Sequence, residues 1–341
     1  MADGRSALRR DLVVIGSSAG GVAALPRVIQ RLPACFPAAV CVVQHLATSR
    51  DPRLVDIIGR GAELPVVWGE QGAHLECGTV YVAPPDVHLV FVDDHIQLAM
   101  GPRENYSRPS IDKMFRSAAA VHGGRTIGVL LTGMLADGVA GLRAIRDAGG
   151  VVIVQDPEDA AFPDLPTNAL RAIEPDRTLP LDDIAATLVA LAGSPARPAA
   201  VPPELTLEAR LDREGGDPRD LSRLGTQTTL ACPECSGPLW EVNGESPLRY
   251  RCYLGHGTNA HELLSQNSEQ IEQALWSAVR ALSDRAATLE ALALEAAQEG
   301  NVASSESYAA RARDARTHAT VAREFMFDAA GRVTSHARQG G

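Results

Sequence analysis

The chain has 341 residues, 45% of them hydrophobic and only 4% aromatic, with six cysteines and a formal net charge of −10. That length leaves room for more than one packed domain, and the negative balance excludes a non-specific nucleic-acid binder, which needs a basic face. No stretch approaches the roughly 18 apolar residues of a membrane-spanning helix. Met1–Asp11 lacks the apolar core of a secretory signal, so the expected location is the cytoplasm, without membrane insertion.

Short β-branched runs alternate with helical stretches from Leu12 to Ala192. Leu12–Ile15 predicts a buried strand, followed by a glycine-rich turn and a helix over Val22–Leu32 with Leu25, Val28, Ile29 and Leu32 on one face. Val40–Val43 predicts a second buried strand, Thr79–Val82 and His88–Val92 further strands, and Ile111–Ala120 a helix. Strand Ile127–Leu131, a helix over Val139–Ala148 and strand Val151–Val154 continue the pattern. Apolar strands alternating with helices predict an α/β fold, a doubly wound and mostly parallel sheet covered on both faces. This first domain is expected to occupy residues 1–193.

Residues 194–228 are rich in proline, glycine and charge, and predict an interdomain linker with a short helix around Leu205–Leu211. Cysteines cluster in residues 229–258. In residues 259–330, Ile271, Leu275, Ala278, Leu282, Leu289 and Leu292 recur at helical spacing until Glu299-Gly300-Asn301 interrupts them. Tyr308, Ala312, Ala315, Ala319, Ala322 and Met326 then follow at four-three spacing. The pattern predicts an antiparallel helical hairpin, either a structural piece or a surface for a further protein partner; periodicity does not separate the two. Residues 331–341 are expected to form a disordered tail.

The first strand-to-helix turn carries the chemistry. A dinucleotide-binding turn needs G-x-G-x-x-G and an acidic residue about 20 positions on. Here Ser18 stands at the second glycine, and the next strand ends in Gln44-His45. Gly16, Ser18 and Gly20 instead supply G-x-S-x-G, a sharp elbow that exposes a serine hydroxyl. A serine nucleophile needs a base, and the base needs a partner that fixes its tautomer. His45 follows the second strand, and Asp137 follows strand Ile127–Leu131. All three lie beyond the carboxyl ends of parallel strands, where open α/β sheets build their sites. Taken singly, His45 could be a core histidine and Asp137 a helix cap before Gly138; the constellation favours chemistry.

Five segments in order, Ile15–Gly21, Val42–His45, Tyr81–Pro85, Arg108–Asp112 and Leu131–Gly141, resemble the signature segments of the CheB family of chemotaxis-receptor methylesterases. The resemblance covers nearly all of residues 12–192. It implies that Ser18 is the nucleophile, His45 the general base and acid, and Asp137 the orienting carboxylate. It further implies that the backbone N–H of Met134 is an oxyanion donor, with that of Ala19 as a second. The family hydrolyses γ-methyl esters of receptor glutamates and can deamidate particular receptor glutamines, without a catalytic cofactor. Chemotaxis members usually carry an amino-terminal receiver domain. Here the catalytic pattern begins after about a dozen residues, so receiver gating in the same chain is not expected.

Cys232-Pro233-Glu234-Cys235, a 16-residue gap and Cys252-Tyr253-Leu254-Gly255-His256 give C-x2-C and C-x3-H. Two such knuckles present four ligands suited to a closed, structural tetrahedral zinc, and predict a zinc ribbon. Three free thiols and a surface histidine are the alternative. The leading functional expectation is a serine esterase acting on a methylated chemoreceptor-like protein. A serine hydrolase with another ester substrate, and a partner-binding regulatory protein on an esterase scaffold, are the competing readings.

Overall fold

A computed structural model describes residues 8–46, 53–244 and 248–336, with side chains as far as Phe325. Its centre is a seven-stranded sheet in the order β3-β4-β2-β1-β7-β8-β9. The strands are β1 (Leu12–Ser17), β2 (Ala39–Gln44), β3 (Val66–Trp68), β4 (Val80–Val82), β7 (Thr126–Leu130), β8 (Val151–Gln155) and β9 (Arg177–Leu179). Every adjacent pair is parallel. β1, β2, β7 and β8 are buried along their whole length. Their unbroken apolar runs suit strands covered on both faces.

Alternate strand residues feed two cores. Val13, Ile15, Val40 and Val42 pack beneath α1 (Gly21–Ile29), α2 (Leu54–Ile58) and α6 (Leu181–Leu191). Val14, Cys41, Val43 and Val152 face α3 (Ile111–His122), α4 (Val139–Asp147) and α5 (Asp164–Ala172). From β1 the chain builds the sheet outward to β3, and from β7 it builds the other way to β9. The connection after β1 therefore leaves on the α1 face, and the one after β7 on the α4 face. A crevice opens at such a switch point, beyond the carboxyl ends of the two strands.

Three sequence expectations need correcting. Strand β5 (His88–Val92) does not join the main sheet; it pairs antiparallel with β6 (His95–Ala99), in which His95 and Gln97 break up any continuous apolar run. The expected linker is folded. It contains α7 (Pro203–Glu214) and α8 (Pro218–Leu224), and one compact unit continues through it to Glu262, the other beginning at Leu263. Leu207, Leu211, Leu221 and Leu224 bury Trp240 in a third core. The ribbon is also larger than expected. β10 (Gly225–Ala231), β11 (Pro238–Val242), β12 (Arg249–Cys252) and β13 (Gly257–Asn259) form a four-stranded antiparallel sheet.

Two of the charges that mark residues 203–214 as linker-like, Glu208 and Asp212, are in fact buried in ion pairs. Arg116 on α3 donates two bonds to Glu104, of 3.1 and 2.6 Å, and a third to Asp212 on α7 at 2.9 Å. From β12, Arg249 grips Glu208 through two bonds of 2.6 and 2.8 Å, and Arg251 pairs with Asp212. Burial holds these charges in a medium of low dielectric, where each is tolerable only while its partners stay in place. Coulombic contact with Arg116 and Arg249 outweighs the desolvation of Glu208 and keeps its carboxyl down at about 2. Catalytic sheet, α7 and ribbon are thus joined through one ionic core.

The second unit is a hairpin of α9, which starts in the first unit (Ala260–Gln298), and α10 (Val302–His336). Gly300, at φ 75°, makes the turn, and Asn301 caps α10 by accepting from Ser304 N. The buried seam is Val279, Ala286, Leu289, Ala293 and Ala296, with Leu282 half-buried, against Ala312, Ala315 and Ala319. Small residues let the two helix backbones approach closely. Leu282 and Leu289 lie on the seam as expected, whereas Ile271, Ala278 and Leu292 are exposed, and Val279 and Ala293 are buried in place of Ala278 and Leu292. The Met326 side chain lies outside the described residues. Helix α10 continues through His336, so residues 331–336 are not a disordered tail; 337–341 lie outside the description.

Asp212→Ala would remove the acid that bonds both Arg116 and Arg251, leaving Glu208, 3.6 Å from each, as their remaining shared partner. Chemical denaturation of the full chain is expected to show a loss of about 3–5 kcal/mol. A loss well under about 1 kcal/mol, the range of surface pairs, would mean that water reaches the cluster.

Candidate active site

Ser18 follows β1 in a tight elbow. Its N–H donates to Thr132 O at 3.1 Å and its carbonyl accepts from Gly21 N at 3.0 Å. The glycines are needed by space: a Cβ at Gly16 would sit 2.3 Å from Ile111, and one at Gly21 would overlap Gln44 Oε1 at 1.9 Å. Gly20 adopts φ 82°, a left-handed conformation that glycine takes without cost.

Gln44 ties this elbow to the next strand. Its Oε1 accepts from Ser17 Oγ at 2.6 Å, and its Nε2 donates to the carbonyls of Ser18 and His45. Sequence reasoning used Gln44 only against nucleotide binding. A buried glutamine closing an otherwise apolar strand was the signal that it has a bonding task.

His45 and Asp137 come together as expected. Nε2 of His45 lies 2.9 Å from Oδ2 of Asp137, although the N–H is not aimed straight along that line. Nδ1 faces Ser107 Oγ at 3.4 Å. No hydrogen bond joins Ser18 Oγ to His45 among the described residues; such contacts are often loose without substrate and tighten around it. His45 N donates to Ser17 O at 3.0 Å, so His45 and Ser18 stem from adjoining strand ends.

Asp137 caps a helix, but not the one the sequence suggested. Gly138, at φ 104°, precedes α4 with no side-chain cap, whereas Asp137 reaches across to the start of α3. Its Oδ2 accepts from Ile111 N at 2.7 Å; Oδ1 accepts from Ser110 Oγ and Asn105 Nδ2, each at 3.0 Å, and from Asp112 N at 3.3 Å. Burial alone would raise the carboxyl's pKa. The bond and charge of His45, then the donors Asn105 and Ile111, outweigh it and bring the value from 3.8 to about 2. Asp137 is therefore anionic throughout the neutral range.

Its donors are themselves held. Ser110 N donates to His88 Nδ1 at 3.2 Å, and His88 Nε2 faces Pro102 O at 2.9 Å. A carbonyl only accepts, so the proton sits on Nε2. Burial and the charge of Lys113 push His88 down to about 3, which keeps that neutral tautomer. His88 and Asn105 escaped the sequence reading because each works through a loop distant in the chain.

Met134 and Ala19 flank the elbow. Neither backbone N–H spends itself on a partner among the described residues. Gly133, before Met134, is pressed so close that a Cβ there would lie 2.9 Å from Ser18 Cβ and 2.6 Å from Leu165. The Met134 peptide can approach the serine only because residue 133 is glycine.

In the ribbon, the Sγ atoms of Cys232, Cys235 and Cys252 and a ring nitrogen of His256 lie within 4.8 Å of one another. Ser236, at φ 60°, and Gly255, at φ 100°, turn the two knuckles. His256 Nδ1 faces Cys252 Sγ at 3.4 Å, while Nε2 faces Glu234 at 3.3 Å. A carboxylate behind a histidine is the arrangement that orients an imidazole toward a metal. The donor set fits one tetrahedral zinc.

A parallel, doubly wound sheet with serine, histidine and aspartate gathered at its switch point is the frame of a hydrolytic enzyme. The chain belongs to the CheB methylesterase family, whose profile matches residues 13–188. A Leptospira interrogans relative, provisionally named a protein-glutamate methylesterase/protein-glutamine glutaminase, is 36% identical over 182 residues, covering 53% of this chain and 94% of its own. An Anaeromyxobacter dehalogenans protein-glutamate methylesterase/protein-glutamine glutaminase is 40% identical over 178 residues, and there the chain spans only 52% of the relative's length. The crystal structure of the Thermotoga maritima CheB methylesterase catalytic domain superposes with a TM-score of 0.52 at 34% identity, covering 53% of this chain and 98% of that one. No helix among the described residues is long and apolar enough to cross a membrane.

Two outcomes follow from this geometry. Gly133→Ala is expected to cut Ser18 acylation by at least tenfold, measured as the rate of fluorophosphonate labelling. Unchanged labelling would show that the loop yields. Glu262 concerns stability: it is buried, and burial followed by the charge of Asp137 outweighs the lowering contact of Asn259 and pushes it up to about 8. Between its ordinary 4.5 and that value the native state holds a proton that the unfolded chain releases. Stability therefore falls as pH rises through this window. Glu262→Gln should flatten that fall in denaturation midpoints measured from about pH 5 to about pH 8.5.

Proposed function

We infer that the protein hydrolyses γ-methyl esters of glutamate side chains on a chemoreceptor-like protein, through Ser18, His45 and Asp137. The observation that carries this reading is the His45–Asp137 contact at 2.9 Å, set at the switch point beside the Ser18 elbow. Ser18 Oγ attacks the ester carbonyl while the His45 ring nitrogen not engaged by Asp137 takes its proton. The carbonyl oxygen becomes an oxyanion facing the N–H groups of Met134 and Ala19, in the manner that lowers barriers for acyl transfer. Collapse expels methanol, which takes the proton from His45, and leaves Ser18 acylated. A water, deprotonated by His45, then releases the glutamate carboxylate and restores the serine. Asp137, anionic and buried, offsets the imidazolium charge in both halves. An amide substrate would follow the same course with ammonia leaving, which fits the glutaminase half of the relatives' names.

The part of a metal in the ribbon is structural. Cys232, Cys235, Cys252 and His256 would hold one zinc in a closed set of four ligands, with no open position for substrate. The hairpin's small-residue seam is consumed in pairing α9 with α10, so a further partner would have to use other faces.

The direct test is methanol release from a methylated receptor cytoplasmic domain. Wild type should release it, and Ser18→Ala and His45→Ala should each be slower by about a hundredfold or more while remaining folded. Near-normal turnover by either variant would remove the triad. Fluorophosphonate labelling without methanol release would indicate a different ester substrate, and absence of both a non-enzymatic role. Metal analysis of reduced protein should find one zinc per chain, lost when Cys235 is replaced by serine; absence of stoichiometric zinc would remove the metal assignment.

A further inference from the structure

The loop that supports Asp137 is not supported by the catalytic sheet alone. Asn105 and Tyr106 are both left-handed, at φ 49° and 61°, a conformation that is rare for an aromatic residue and needs outside restraint. Part of the restraint is local, since Ser107 N donates to Glu104 O at 2.9 Å. The rest comes from the ribbon. Asn105 N donates to the carbonyl of Gly257, on β13, at 2.9 Å, and Glu104 pairs with Gly257 in a parallel bridge. Contact here is close: a Cβ at Gly257 would lie 2.9 Å from Cγ and Cδ of Glu104. Glu104 is fully buried and clamped by Arg116. The Asn105 side chain completes the connection, its Nδ2 donating to Asp137 at 3.0 Å and to Asp112 at 2.9 Å.

We propose that the ribbon is a working part of the esterase, with Gly257 holding Asn105, and Asn105 acting as a positioning residue that sets the Asp137 carboxylate against His45. The proposal rests on the esterase reading of Ser18, His45 and Asp137. It adds that acid–base competence of the catalytic sheet depends on an element more than a hundred residues downstream. Residues 1–193 alone would keep every catalytic side chain yet lose Gly257, Asp212 and Glu208.

The test uses the full chain. Asn105→Gly keeps the left-handed backbone and its N–H to Gly257 but removes the amide that reaches Asp137. Gly257→Val keeps the amide but forces β13 away from Glu104 and Asn105. With p-nitrophenyl acetate as probe, each is expected to lower kcat by about tenfold or more with KM little changed, the size of losing one charge-assisted bond. The double variant should be no slower than the worse single one, because both act along one route. A second readout does not depend on turnover. In protein carrying nitrogen-15 histidine, the His45 ring resonances should move in both variants, although neither substitution touches His45. Wild-type kcat and ring resonances in Gly257→Val would overturn the ribbon's role, and the same result in Asn105→Gly would overturn that of the amide. Multiplying effects in the double variant would also overturn the proposal. If the wild-type chain hydrolyses no ester, the esterase reading fails and the ring resonances alone decide whether the linkage exists.

Discussion

A single buried carboxylate organises this molecule. Asp137 closes the first turn of α3 by accepting from the backbone of Ile111 and Asp112, and it receives Ser110 and Asn105 from the loop before that helix. A carboxylate taken out of water without such donors would bind a proton and lose its charge. With them it stays ionised, and in the proposed reaction an ionised Asp137 is what lets His45 accept a proton from serine. Helix start, strand-end loop and acid–base pair are therefore one electrostatic object. The distance from β7 to α3 across the crevice is bridged by hydrogen bonds to the side chain on which the chemistry depends.

A second constraint lies behind it. Arg116, Glu104, Glu208, Asp212, Arg249 and Arg251 form a nearly dry cluster linking α3, α7 and β12. Buried ion pairs contribute little net stability against an apolar core of equal shape, but they punish misplacement severely. Their effect is to define where the ribbon sits. An apolar patch would tolerate sliding; three arginines facing three carboxylates do not.

The sequence was most informative where burial is continuous. β1, β2, β7 and β8 stand out because both faces are covered, and the serine elbow stands out because glycine at 16, 20 and 21 has no other purpose. Three-residue edge strands such as β3 and β9 carry too few positions to show a pattern. The segment 203–214 misled for a different reason: Glu208 and Asp212, four apart on one helix face, look solvent-directed until their arginines are found 41 and 39 residues further on, respectively. Asn105 and His88 were illegible because their function is to hold other residues across loops, and single-chain spacing carries no trace of that. In the hairpin the helical period was plain, and Leu282, Leu289, Ala312, Ala315 and Ala319 do lie on the seam, but alanine is ambiguous between seam and surface, so Ala278 was read into it in place of Val279.

The ionic cluster also bears on how such a protein can change over generations. Its parts are coded far apart, yet the arginines of α3 and β12 both depend on acids of α7, and lysine cannot replace a two-pronged guanidinium. Recombination that joined this sheet and α7 to a foreign ribbon would strand Glu208 and Asp212 in the interior without Arg249 and Arg251. Sheet, α7 and ribbon must then be inherited together and drift in step, as a single evolutionary character.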